Sequence, residues 1–126
     1  MAIKIYTEQV KIHETPLEKI FFDGTQITIE FDDEDEKRWC VMFSQIQEFK
    51  ITTIDCFDVS KLLMDGMKSS YILFEDNSKW INNLNITLNK TDYHASFFDK
   101  SKHYIFPFQD NIVEVVSLNI SIEKLK

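Results

Sequence analysis

The side chains that could do chemistry fall in a few places along the chain. Glu30, Asp32, Asp33, Glu34, Asp35 and Glu36 put six acids into seven residues. Such a run could attract Ca²⁺, but an EF-hand loop needs a glycine at its sixth position and a glutamate at its twelfth, and this run has neither. Asp92, His94, Asp99 and His103 combine types that suit a borderline divalent metal. No pair among them has the spacing of a helical ligand motif such as HExxH, and their segment reads as loop. A catalytic cysteine needs a stabilised thiolate and a partnered base. Cys40 lies between Trp39 and Val41, and Cys56 lies between Asp55 and Asp58, both poor settings for one. They read as small buried hydrophobes of a reducing compartment. Ser60, Ser69 and Ser70 lack a GxSxG setting. With only Gly24 and Gly66, no phosphate-binding glycine loop is possible. The sequence therefore predicts no catalytic residue, no resident metal and no cofactor.

One acid stands apart. Glu114 shares its strand parity with Ile112, Val116 and Leu118, while Val113 and Val115 make the other face apolar too. A buried carboxylate needs a partner, and His103, across the same hairpin, is the nearest candidate. An exposed edge position and a functional acid are the other two readings of Glu114.

These residues must be held by strands. HYIFPFQDNIVEVVSL, residues 103–118, has two apolar runs around Gln109, Asp110 and Asn111. It reads as the last β-hairpin, supplying two central strands. Pro107 argues for an edge or a bulge there. Asp23-Gly24 between Leu17–Phe22 and Gln26–Phe31 is the strongest short hairpin signal in the chain. Residues 2–12 change face partway, which calls for a bend near 7–9. The acidic run at 30–36 reads as an exposed loop tip, because its self-repulsion suits no strand interior. Arg38–Phe43 is apolar on both faces, so it is central or covered on both sides. Ser44-Gln45 reads as a tight connection to a further strand, Ile46–Ile54. Residues 55–69 allow one or two helical turns, and Tyr71–Phe74 reads as a short strand. Ser78 is a good N-cap, and Trp80, Ile81, Leu84 and Leu88 follow at helical spacing. That predicts one main helix near 78–90, covering a face of the sheet. Residues 91–102 are polar, with Phe97 and Phe98 as anchors. The sum is α+β: one domain over residues 1–126, with a curved, mostly antiparallel sheet of seven to eight strands, a meander or half-barrel.

The totals limit the function classes. A chain of 126 residues can bury a core without disulfides or metal. Its eleven Phe are many for that length, and any left over would form an interface patch. A net charge of −7 argues against nucleic acid and anionic membranes as partners and suits a basic protein. No signal peptide or membrane span is evident, so the expectation is cytoplasmic. The sequons at Asn85, Asn89 and Asn119 then carry no meaning. Arg38 is the only arginine, and Lys, Ile and Asn are plentiful, which points to an AT-rich bacterial genome.

KHYIFPFQDNIVEVVS, with the upstream SKWINNL, resembles small bacterial proteins encoded beside polymorphic or contact-dependent toxins, many of them immunity proteins. The resemblance covers residues 101–117, with a looser match over about 70–90, and lies in core-forming positions. It implies an acidic, cytoplasmic, non-catalytic inhibitor of a cognate basic toxin domain, in the leading form a nuclease. Glu30, Asp32, Asp33, Glu34, Asp35 and Glu36 would then be the partner-binding residues. Two other readings remain open at this point. One is a small-ligand or enzymatic pocket built from Glu114, His103 and Tyr104 in the mouth of the curved sheet. The other is a homo-oligomeric structural subunit.

Overall fold

A computed structural model describes residues 2–15, 17–64, 66–76, 78–90 and 101–125. Among them the strands are β1 (Ala2–Ile5), β2 (Lys19–Phe22), β3 (Ile27–Asp32), β4 (Arg38–Thr53), β5 (Leu63–Met64), β6 (Met67–Lys68), β7 (Leu73–Asp76), β8 (Lys102–Pro107) and β9 (Asn111–Lys124). Among the described residues one α-helix, α1 (Lys79–Asn89), lies between β7 and β8. Seven strands form one antiparallel sheet in the order β1-β7-β8-β9-β4-β3-β2, and β5 and β6 make a separate small hairpin. The sheet is not closed: β1 and β2 are its two edges. The α+β class, the seven-stranded antiparallel sheet and the single main helix agree with the sequence expectation.

The sheet curls, and aromatic rings show by how much. Phe31 on β3 and Phe106 on β8 are separated by β9 and β4 in the strand order. In a flat sheet three strand spacings would put them about 14 Å apart. Their ring centroids are 6.4 Å apart, and Phe31 reaches Phe108 at 5.8 Å. Phe43 on β4 meets Tyr104 at 5.2 Å and Phe106 at 5.9 Å. The concave face is thus filled by rings from strands that do not pair. Ile27, Ile29, Val41, Val113 and Val115 complete this core, with Val10, Ile12 and Ile72 closing its end.

Two local devices shape the strands. Asp23 accepts the amides of Thr25 and Gln26 through Oδ1, and Gly24 takes φ +100° in the tight turn between β2 and β3. The second device corrects an expectation. Ser44-Gln45 is no hairpin turn: β4 runs unbroken for 16 residues and pairs with β9 on both sides of that point. Gln45 adopts a left-handed φ of 52°, and the register slips between Ile46 and Glu48. These are β-bulge features, which bend a strand and raise its twist without ending it. Their consequence shows in the packing, since Val41 and Phe43 before the bulge and Phe49 after it all face one core.

Pro107 is also placed differently from expectation. It ends an interior strand and is buried, pairing with Ile112. β7 pairs with β8 only as far as Ile105, so the missing Pro107 N–H falls where no β7 partner reaches. The bend near 7–9 is present, with Gln9 N–H on Thr7 Oγ1. The 55–69 region contributes two 3-10 turns, Ile54–Cys56 and Val59–Leu62, before β5. The helix forms as the N-cap predicts, Ser78 Oγ accepting from the Ile81 amide. It does not seal a sheet face, however: Trp80, Ile81, Leu84 and Leu88 are only half-buried. Phe97 and Phe98 lie outside the described residues. Among the described residues no helix is long and apolar enough to cross a membrane.

If the rings set the curl, Phe106→Ala should destabilise the protein by about 3–5 kcal/mol. Phe21→Ala, on the edge strand, should cost less than about 1 kcal/mol. Urea unfolding of both variants checks the difference.

Candidate functional site

Cross-strand register places the chemistry-bearing residues on the convex face. Opposite residues of antiparallel strands share a face. Ile105 pairs with Glu114 and Glu114 with Lys50, so these three lie in one row. The neighbouring row holds Glu75, His103 and Val116. Rows of mixed charge on a covered sheet face need partners for every polar atom.

They have them. His103 Nε2 lies 2.8 Å from Glu114 Oε1. Its Nδ1 lies 2.8 Å from Ser78 Oγ and 3.2 Å from Glu75 Oε2. Lys50 Nζ stands 3.6 Å from Glu114 Oε2 and 4.4 Å from the centre of the Trp80 ring. Trp80 in turn packs edge-to-face on the His103 ring, 4.9 Å between centroids. His103 is 3% exposed and Glu114 5%. A neutral ring donates to Glu114 from Nε2 and accepts the Ser78 hydroxyl at Nδ1, while a ring carrying both protons donates to both sides. Each of the two nitrogens is engaged either way.

Ser78, His103 and Glu114 stand in the order of a nucleophile, a base and an orienting acid. Ser78 is nevertheless 2% exposed, and its oxygen is engaged by both the Ile81 amide and His103. A serine held as a helix cap inside the fold is a brace for His103, not a nucleophile open to substrate. Tyr104 does not join the group. It sits on the concave side against Tyr6 and Phe43, and burial, reinforced by Tyr6, pushes its hydroxyl up. The pocket expected from Glu114, His103 and Tyr104 is therefore divided by the sheet itself.

A cleft does open on the convex side. Its volume is about 360 Å³, and Ile3, Phe57 and Ile105 give it apolar walls. Lys50, Glu75 and Glu114 line it from the sheet, while Cys56, Asp58 and Lys61 line it from the 3-10 turns. Cys56 is exposed here, contrary to the expectation that both cysteines are buried. The 3-10 turn backs onto solvent at that residue, so its small apolar side chain gains no cover. Cys40 is buried, and burial with Glu30 and Glu123 nearby pushes its thiol up.

The acidic run divides into parts with different duties. Glu30 and Asp32 belong to β3, not to a loop tip. Arg38 lies opposite Asp32 and holds it at 3.1 Å, with Glu30 at 3.7 Å, which relieves the repulsion that the run would otherwise carry. Asp33 is buried and organises the turn: Oδ1 accepts the amides of Asp35 and Lys37, and Oδ2 accepts the Trp39 indole N–H at 2.8 Å. Burial alone would raise its pKa, but the bonds from Trp39, Lys37 and Asp35 together hold it below the usual carboxylate range. Glu34 lies 3.9 Å from Lys11, and Asp35 and Glu36 are exposed. Five or fewer of the six acids are thus available to a partner, and Asp33 is not among them.

Asp92, His94 and Asp99 lie outside the described residues. Among the described residues no group of three or more His, Cys, Asp or Glu side chains converges to hold a metal. No family model, curated protein or solved structure matches the chain. Its function must be argued from these surfaces.

Register alone could have linked Glu114 to Lys50, had the β4–β9 pairing been legible. Ser78, Glu75 and Trp80 reach His103 only through the tertiary arrangement of β7, α1 and β8.

Two outcomes test this site. His103→Ala leaves the buried Glu114 and the half-buried Glu75 without their shared ring and should cost about 3 kcal/mol or more. Glu114→Gln keeps an acceptor for the His103 N–H and should cost less. Chemical denaturation giving the reverse order would contradict the network. For Asp33 the folded pKa is depressed, so its contribution is complete above about 3.8 and disappears as pH falls below that value. Asp33→Asn should lower stability at neutral pH by about 1–3 kcal/mol. It should also flatten the acid limb of a stability–pH profile followed by tryptophan fluorescence.

Proposed function

We propose that the protein is a non-catalytic binding protein of the immunity type, which inhibits a cognate basic toxin domain by occupying its working surface. The observation that carries this reading is an open patch on the convex face of β2, β3 and β4. Phe21, Thr28, Met42 and Ser121 lie in one row there, by register. Phe21 is 52% exposed and Met42 39%. Glu30 and Glu123 belong to the next row, with Lys19 and Cys40 between and beside them. The exposed Asp35 and Glu36 follow in the turn.

The fold makes no use of this patch. Exposed aromatic and methionine side chains, with Glu30 and Glu123 along one side and the neutral Ser44 and Asn119 along the other, have the composition of a protein interface, an apolar centre with polar groups around it. The acidic side is complementary to a surface that binds phosphates, which has to be basic. That supports a nuclease as the toxin activity: an acidic inhibitor would cover the groove that nucleic acid needs. The net charge of −7 would steer the encounter. A pocket-based role is the second reading, and the cleft beside Glu114 is what favours it.

Co-expression with the product of the neighbouring open reading frame, expected to be a basic domain, tests the proposal. Cells should grow when both are made and fail when the domain is made alone. In the purified pair, Phe21→Ala with Met42→Ala should speed dissociation by roughly thirtyfold or more. Neutralising Glu34, Asp35 and Glu36 should slow association about tenfold at low salt and flatten its salt dependence. Neighbouring domains that neither bind nor poison the cell would overturn the reading.

A further inference from the structure

Lys50 is a half-exposed cation set beside the buried Glu114. Its ammonium lies between the Glu114 carboxylate, 3.6 Å away, and the face of Trp80, 4.4 Å from the ring centre. A carboxylate on one side and an indole face on the other is a composite cation site. Glu114 is fixed there by its second oxygen, which His103 holds at 2.8 Å. Lys50 itself is not fixed. Its side chain is 51% exposed and it rides on a flexible four-carbon stem. It also lines the cleft of about 360 Å³, where Ile3, Phe57 and Ile105 stand among Asp58, Lys61, Glu75 and the same carboxylate. A lysine or arginine side chain fits that shape: an alkyl stem along apolar walls and a charge at the end.

We propose that this cleft receives one arginine or lysine side chain of the basic partner, and that Lys50 is a placeholder that swings out when the partner's charge arrives. This rests on the reading of the protein as an inhibitor of a basic domain. The spacing allows it. Lys50 lies eight residues along β4 from Met42, about 27 Å at full strand rise and less across the bulge. One standard interface, of about 800 Å² per partner, spans that distance. The placeholder also makes the site selective. A single diffusing cation must displace a tethered one, whereas a side chain already docked through the open patch does so within the complex.

The test begins without a partner. Agmatine and butylammonium are titrated into the full chain, with butyrate as the anionic control, and the indole N–H of Trp80 is followed by NMR. Lys50→Met removes the placeholder and should bind both cations in the millimolar range, at least about tenfold more tightly than the wild type. Lys50→Arg keeps a tethered cation and should behave as the wild type does. Alkylating the exposed Cys56 with N-ethylmaleimide narrows the cleft and should weaken the binding again, with Glu114 untouched. No cation-dependent shift in Lys50→Met, or equal shifts with butyrate, overturns the proposal even where a partner complex forms. The second arm uses that complex. Lys50→Met should tighten it and Cys56 alkylation should weaken it. Cation binding by Lys50→Met with a partner complex indifferent to both changes also overturns the proposal, in favour of a free small cation as the ligand. Absence of any partner complex counts against the inhibitor reading and leaves the cation titration to stand by itself.

Discussion

The contact of Phe31 with Phe106 across two intervening strands is the constraint on which the rest of the structure depends. Rings from β3 and β4 can meet rings from β8 only if the sheet rolls over its concave face. Rolling asks the two longest strands to bend, and the bulge between Ile46 and Glu48 lets them do so while still paired. With its concave side filled by aromatic side chains, the molecule keeps its chemistry for the convex side. Tyr104 and Glu114 show the division: near neighbours across one hairpin, they face a hydrocarbon core and a polar network respectively.

The convex side has two halves. One carries the His103 network, with Ser78 and Trp80 of the helix entry over it and the 3-10 turns beside it. Buried ionic groups seldom add net stability over an apolar replacement of the same shape. Here they set direction: His103 ties β8 to β9 through Glu114, to β7 through Glu75 and to the helix through Ser78. The other half, over β2, β3 and β4, leaves Phe21 and Met42 exposed, with Glu30 and Glu123 in the adjoining row. On the reading proposed above, that uncovered face is the one a basic partner would meet.

Much of the architecture was legible in the residues, because it rests on local signals. Asp23-Gly24 marked a turn, Ser78 a helix start, and the runs around Gln109–Asn111 a hairpin, and each of these depends on side chains within a few positions. Glu114 was legible as an acid needing a partner, since an apolar strand leaves few other uses for one. The break at Ser44-Gln45 was misleading for a physical reason. Turns and bulges both use polar residues and left-handed φ, and only the pairing of both β4 segments with β9 separates them. The duty of Asp33 was hidden as well. Nothing in a run of acids marks the one whose carboxylate is enclosed by two amides and an indole. The Lys50–Trp80 contact was out of reach for the same reason, since 30 positions separate the two and the sheet brings them together.

The most direct test of the central claim, that the open half of the convex face is the working surface, is hydrogen exchange on the complex with the basic domain. β2 is an edge strand, so its outward amides have no sheet partner and report on anything laid against them. The account predicts slowed exchange over residues 17–22 and in the turn at 33–37, with β1 at the opposite edge unchanged. Slowed exchange confined to β1 and β7, with 17–22 exchanging as in the free protein, would contradict it.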